Sequence, residues 1–437
     1  MNHTDLTEHA LDFILSTTWA GLPTAVQHQA HRCLLDGLGA LIAGTQTPVA
    51  AIMADFAAGQ FGGDEATILR DGRRASMVGA TLANGFAANA LDIDDGFRPV
   101  KGHPGVCVLP VLLALAQARP LAGADFLTAL VIGYEIGIRA GRIRHATYSV
   151  YHSSGSWGAI AAAAVAGRVL GLERPALRQA LGAAEYHAPI APMMKGIDRP
   201  SMGKDSTGWG AMVGMASALM AGQGFTGVDP LFDDAPDPGW VLNLGRDYEI
   251  MKLYFKPYAC CRWTQPAIAA ALRLAASAHL QPADIDRIRV RSFEAAARLS
   301  RAHPRNTEEA QYNLAYPVAA ALIDGELGPG QVLPPRLFDP DLLALADRVE
   351  VEVEPEYEAA FPAKAFAEVI VTGRDGRTLA SGRAEARWEP PDRPSDDELE
   401  RKFRWLATPV LGSGRVDDLL HCIWESQSCQ LFKSWQL

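Results

Sequence analysis

The sequence predicts a mainly α-helical protein with a smaller α+β domain, whose antiparallel sheet carries helices on one face. Three observations point there. Apolar residues recur three and four apart from the start to about residue 225. A connector rich in Pro, Gly and Asp follows between Asp229 and Asp247. Period-two alternation then takes over.

The helical part opens with segments such as TAVQHQAHRCLLDGLGALIAG, TPVAAIMADFAAG and DFLTALVIGYEIGIRAG, bounded by Gly, Pro and Asp. Their small side chains let helices approach closely, so a compact multi-helix unit is expected, and no fixed-period repeat suggests a solenoid. Ser206 to Val228 is uncharged and long enough to cross a bilayer. Its Gly, Ala, Ser, Thr and Met content predicts a tightly packed core helix instead.

Beyond the connector, Ile288, Val290 and Ser292 alternate with Arg287, Arg289 and Arg291, and Val349, Val351 and Val353 alternate with acidic residues. PAKAFAEVIVTG and RTLASGRAEARW predict a hairpin turning at Asp375–Gly376. Two helices interleave: Gln265 to His279, and Glu308 to Asp324 capped by Asn306 or Thr307. One-sided strands alternating with helices predict an α+β unit. From about Ser395 the chain is helical again.

Hydrophobic residues make up 49% and charged residues 21% of the 437, which is globular composition. A net charge of −10 argues against a nucleic-acid surface, whereas a locally positive pocket for a small anion remains compatible with it. The N-terminus lacks a basic region followed by an apolar run, so no signal peptide is expected. Cys33, Cys107, Cys260, Cys261, Cys422 and Cys429 form no C-x-x-C pair and no metal-ligand spacing. A reducing cytoplasm, no membrane association and no metal are the corresponding expectations.

Chemistry concentrates in ANALDIDDGFRPVKGHPGVCVLP, residues 88–110. Asp92, Asp94 and Asp95 end a small-residue helix; Arg98, Lys101 and His103 follow in a loop punctuated by Gly and Pro. Pro104 biases His103 toward extended backbone. Such a loop is either solvated or part of a site, and its apolar flanks favour the site.

Further candidates lie downstream. In TYSVYHSSGSWG, Tyr151 and His152 precede a helix start that either binds an anion or is an ordinary serine cap. Lys204 and Asp205 precede a glycine-rich helix; with no strand before it, a dinucleotide loop is excluded, and Lys204 is placed to grip a carboxylate or act as a base. YFKPYACCRWTQPAI contributes Lys256, Arg262 and Gln265, either as a solvated turn or as site residues. Tyr312 and Tyr316 lie four apart, on one face of a continuous helix, where core packing is the alternative role.

Taken in order, A-N-A-L-D-I-D-D…G-H-P-G, Tyr151-His152, Lys204-Asp205 with G-W-G and G-F-T-G, K-P-Y-A-C-C-R-W and Y-N-L-A-Y-P-V-A-A-A-L-I-D-G resemble the MmgE/PrpD family along nearly the whole chain. That family includes 2-methylcitrate dehydratase, cis-aconitate decarboxylase and iminodisuccinate epimerase. The resemblance implies a helical domain from residues 1–248 and 395–437, with residues 249–394 inserted as a lid-like α+β domain. It also implies a homodimer without metal or organic cofactor, and a site between the domains.

The family's site positions would fall at Asp92, His103, His152, Lys204, Lys256 and Tyr316. The implied chemistry moves a proton at a carbon beside a carboxylate, with cations stabilising the enediolate. A lyase on a small di- or tricarboxylic acid follows: His152 or Lys204 as base, His103 and Tyr316 as proton donors. Lys256, Arg262, Arg98, Lys101 and Tyr151 would bind substrate. An epimerase, and a carboxylate-binding protein without catalysis, are the alternatives. Two departures stand out. Gly96 replaces a threonine of the decarboxylase, and Gln265 replaces a common histidine.

Overall fold

Small side chains on facing helices set the architecture of the first layer. The computed structural model describes residues 5–278 and 280–426; Cys429, His279 and the end of the tail lie outside them. Among the described residues the helices of this layer include α1 (Thr24–Gly44), α2 (Met77–Asn89), α3 (Gly105–Ala118), α4 (Gly123–Thr147), α5 (Gly155–Leu170) and α6 (Thr207–Ala221). Trp157 of α5 and Tyr134 of α4 are buried at its centre. A Cβ on Gly214 of α6 would lie 2.3 Å from the Ala162 methyl and 2.4 Å from the Ala159 carbonyl oxygen of α5, so only glycine permits that approach.

The uncharged stretch flagged in the sequence is therefore α6, a helix packed against α5 and α2. At about 1.5 Å per residue it is too short for a bilayer's hydrocarbon core. Among the described residues no single helix is long and apolar enough to cross a membrane; α1 and the helix Pro48–Gln60 meet the length and composition only as a pair bent by 88°.

The second layer is built on α7 (Gln265–Ser277), β1 (Ile285–Ser292), α8 (Ala315–Asp324), β2 (Val349–Val353), β3 (Phe366–Gly373) and β4 (Thr378–Ala380). Strand order is β2-β1-β3-β4. Val290 pairs with Val369 of β3 in the antiparallel sense, and β3 and β4 form the expected hairpin, with Gly376 at φ 81° in its turn. β2, however, runs parallel to β1, with Ile288 opposite Val349 and Val290 opposite Val351. The sheet is thus mixed, not wholly antiparallel. The connection between those strands includes α8, long enough for the crossover that a parallel return requires. Ile288, Val290, Val369 and Val371 are buried with residues of α7 and α8. The alternating arginines meet the alternating acids on the other face, Arg289 lying 3.3 Å from Glu352.

The tail returns to the first layer. Ser395 and Glu398 form a capping box at the start of α9 (Asp396–Leu411), and α9 crosses α1. There, Lys402 donates to Asp36 (2.6 Å) and to the carbonyl of Ile93 (2.7 Å), all buried. Burial raises the Asp36 carboxyl while Lys402 opposes that shift. Removing one partner of a buried pair strands the other's charge. Lys402→Met is expected to cost roughly 3–5 kcal/mol in urea unfolding, and Asp36→Asn in the same chain should recover most of it.

Candidate active site

α2 runs out at Asn89, and the chain turns sharply where the carboxylates stand. Asp92 sits at φ 53°, a left-handed conformation unfavourable for a residue with a Cβ. Lys101, Lys204 and Ser206 share it, so four of the five positive-φ non-glycine residues among those described flank one region. Backbone strain of this kind persists where the surroundings hold it in place.

Lys256 supplies much of that hold. Its Nζ donates to Asp92 Oδ1 at 2.7 Å and to the Asp92 carbonyl at 3.0 Å, with both residues buried. Burial disfavours the ammonium, but Asp92 and the neighbouring charges raise its pKa above the ordinary lysine value. Asp92 Oδ1 also lies 3.5 Å from His103 Nε2.

The other face of His103 is fixed as well. Nδ1 lies 3.0 Å from the Asp95 carbonyl oxygen and 2.8 Å from Asp94 Oδ2, so that nitrogen carries a proton. Burial opposes the imidazolium, yet Asp94 outweighs it and lifts His103 to about 9. Asp94, likewise penalised by burial, is drawn down to about 2 by His103 and the lysines. Asp95 fixes the loop, accepting from the Gly105 N–H at the start of α3 and from Tyr134. Asp94 instead forms an ion pair with His103.

Lys204 and Asp205 close the group. Lys204 Nζ donates to the Asn89 carbonyl (2.6 Å) and to Gln311 Oε1 (2.7 Å), and burial lowers its pKa. Asp205 accepts from Ser154 Oγ at 2.9 Å, and the same hydroxyl accepts the His103 backbone N–H. The Tyr312 hydroxyl faces Asp205 Oδ2 at 3.5 Å, with its pKa pushed well up by burial and by Asp92 and Asp205. Lys256, Gln311 and Tyr312 come from the second layer and the rest from the first.

His152 lies two positions before Ser154, whose hydroxyl bonds the His103 N–H and Asp205. Its Nδ1 is 2.6 Å from Ser156 Oγ, and its ring stacks on His145 with centroids 4.1 Å apart. Its Nε2 is buried without a hydrogen-bond partner among the described residues. Burial lowers the pKa of His152 and, together with His152 itself, takes His145 to about 4. Both rings are therefore neutral at pH 7. Lys101 is exposed, with Nζ 5.3 Å from the centre of the Tyr151 ring, and the Tyr151 hydroxyl donates to the Lys101 carbonyl at 3.1 Å.

Three sequence expectations need correction. Tyr316 donates its hydroxyl to the carbonyls of Gln331 (2.6 Å) and Arg336 (3.2 Å), away from the carboxylates. The expected helix is broken: one ends at Gln311, α8 begins at Ala315, and Asn313 Oδ1 accepts the Tyr316 N–H across the break. Tyr312 faces the site instead. Arg98 and Arg262 do not converge on it as free cations, because both pair with Glu389, and Arg98 also donates to the carbonyls of Pro362 and Ala363. Gln265 is structural, donating to the carbonyls of Tyr258 and Cys260.

Asp92, Asp94 and His103 bring ligand-type atoms within 4.8 Å of one another, as a cation site would. Lys256 already occupies the Asp92 oxygen, and His103 carries a positive charge, so the protein's own groups supply the countercharge there.

Sequence models of the MmgE/PrpD N-terminal domain and the MmgE/PrpD C-terminal domain match residues 8–249 and 258–426. Cis-aconitate decarboxylase of Homo sapiens is 27% identical over 434 residues, covering 92% of this chain and 88% of that protein. Cis-aconitate decarboxylase of Mus musculus is 27% identical, covering 91% and 86%. Cis-aconitate decarboxylase of Aspergillus terreus is 22% identical, covering 91% and 88%.

Proposed function

Because the chain belongs to the MmgE/PrpD family, we propose that it is a lyase of the dehydratase or decarboxylase type. It acts on a small di- or tricarboxylic acid by removing a proton beside a carboxylate. One observation carries this reading. A protonated histidine and a lysine are paired with aspartates, a second lysine is held by neutral oxygens nearby, and a neutral histidine two positions before Ser154 keeps an unpartnered nitrogen.

A proton on carbon beside a carboxylate leaves only if the enediolate charge is stabilised as it forms. His103, Lys204 and Lys256 provide that charge without reorganising. His152 is the base: it is neutral, its Nδ1 is held by Ser156, and its Nε2 is free to accept. Lys204, which donates to two oxygens, suits substrate binding better than proton abstraction. His103 is the proton donor to the leaving or returning position. Protein groups alone supply this chemistry.

The test is turnover of cis-aconitate, citrate and 2-methylcitrate in deuterated water, followed by NMR. Loss of water or carbon dioxide is expected from one of them. Exchange with inversion and neither loss would replace the lyase with an epimerase. His152→Ala is expected to lower kcat about 10²–10⁴-fold with little change in KM. Full turnover by that variant would remove His152 from the mechanism.

A further inference from the structure

Gly96 lies within the site loop, and the space its side chain would fill is already taken. A Cβ there would lie 2.3 Å from both Cζ and the hydroxyl oxygen of Tyr254 and 2.7 Å from Cε2. The two residues also exchange both backbone hydrogen bonds, Gly96 N–H to the Tyr254 carbonyl and Tyr254 N–H to the Gly96 carbonyl, each 3.0 Å. The phenol is therefore locked directly over the glycine.

Tyr254 faces the same chemistry as the known cluster. It is two positions before Lys256 on extended chain, where alternate side chains share a side. Tyr254 and Lys256 are near enough to perturb one another's ionisation, as are Tyr254 and Asp92. The Arg262 guanidinium lies 5.0 Å above the Tyr254 ring, and Glu389 ties Arg262 to Arg98 beyond it. The ring is 6% exposed, and burial keeps the hydroxyl protonated. That hydroxyl makes no hydrogen bond to any described residue. A hydroxyl whose proton is not taken up within the protein is available to an acceptor on a ligand.

We propose that Tyr254 is a specificity-determining residue of this carboxylate site, donating its hydroxyl to a substrate carboxylate from the place that a side chain at position 96 would otherwise occupy. The inference rests on the lyase reading for its ligand class, and it makes Gly96 and Tyr254 one unit. Glu389 ties Arg98 to one edge of Arg262, so on this flank the Tyr254 phenol stands beside a guanidinium that is already ion-paired. A larger residue at 96 would push the ring aside and lose that contact, and would supply one of its own only where the ring is absent.

Calorimetric titration with tricarballylate, citrate and succinate tests this without requiring turnover. Tyr254→Phe removes one oxygen and keeps the ring, so its melting temperature should match wild type while the affinity of the best-bound probe falls about tenfold or more. Gly96→Thr should weaken that probe similarly by displacing the ring. Combining it with Tyr254→Ala should restore binding to within roughly threefold of wild type, with a changed order among the three probes. Unchanged affinity in Tyr254→Phe would overturn the inference and leave the lyase reading standing. So would a double variant binding no better than Gly96→Thr alone. A wild-type protein that binds none of the three would overturn the carboxylate reading and this inference together.

Discussion

Lys256→Met is expected to abolish turnover and to cost about 3–5 kcal/mol of stability. Lys256 and Asp92 are 1% and 2% exposed, and their 2.7 Å contact is shielded from water and salt. Without the ammonium, Asp92 loses its hydrogen-bonded cation and keeps His103 at 3.5 Å and the more distant Lys204, and its left-handed backbone loses the hydrogen bond to its carbonyl. An uncompensated buried carboxylate is the dominant cost. The double variant Asp92→Asn/Lys256→Met removes both charges and should recover most of the stability, whereas turnover should stay absent. Urea unfolding and a turnover assay separate the two effects. If Lys256→Met unfolded within about 1 kcal/mol of wild type, the pair would contribute far less than its burial implies.

The residues that are near in sequence were the legible ones. Asp92 and His103 share one loop, and the turn signals Gly96, Gly102 and Pro104 mark that loop in the sequence. Lys204 and Lys256 stood out because each is a lone cation at the start of an apolar helix or turn. Helical period and strand alternation likewise exposed the order of the two layers. What stayed hidden depended on long-range pairing. Glu389 lies 127 positions from Arg262, and nothing local to either arginine shows that its charge is already matched. The parallel placement of β2 is hidden for the same reason, since Val349 and Val351 alternate identically in either direction. The different settings of Tyr312 and Tyr316 stayed hidden because periodicity assumes an unbroken helix. The Asn313 side chain, which accepts the Tyr316 N–H, ends that continuity and turns Tyr312 toward Asp205. A mid-helix Asn was the available signal. Gly96 shows the opposite case: a departure visible in sequence, while the Tyr254 ring that fills the space beside it is seen only in three dimensions.

His103→Gln is expected to lower kcat/KM about 10²–10⁴-fold and to erase the alkaline limb of the pH profile. In the wild type, activity should rise as His152, whose pKa is lowered from 6.5, loses its proton. It should fall again near pH 9 as His103 loses its own. The direction for stability follows from the same shift. The folded value of about 9 exceeds the unfolded 6.5, so His103 contributes fully below pH 6.5, and that contribution drains away as pH rises through 9. Wild type should therefore lose melting temperature between pH 7 and 9.5, and His103→Gln should lose less over the same interval. Asp94 sharpens the distinction, because its carboxylate is held near 2 by His103 and the lysines and stays ionised throughout. An alkaline limb that survived in His103→Gln would belong to another cation, and Lys204, with its burial-lowered pKa, would then become the proton donor.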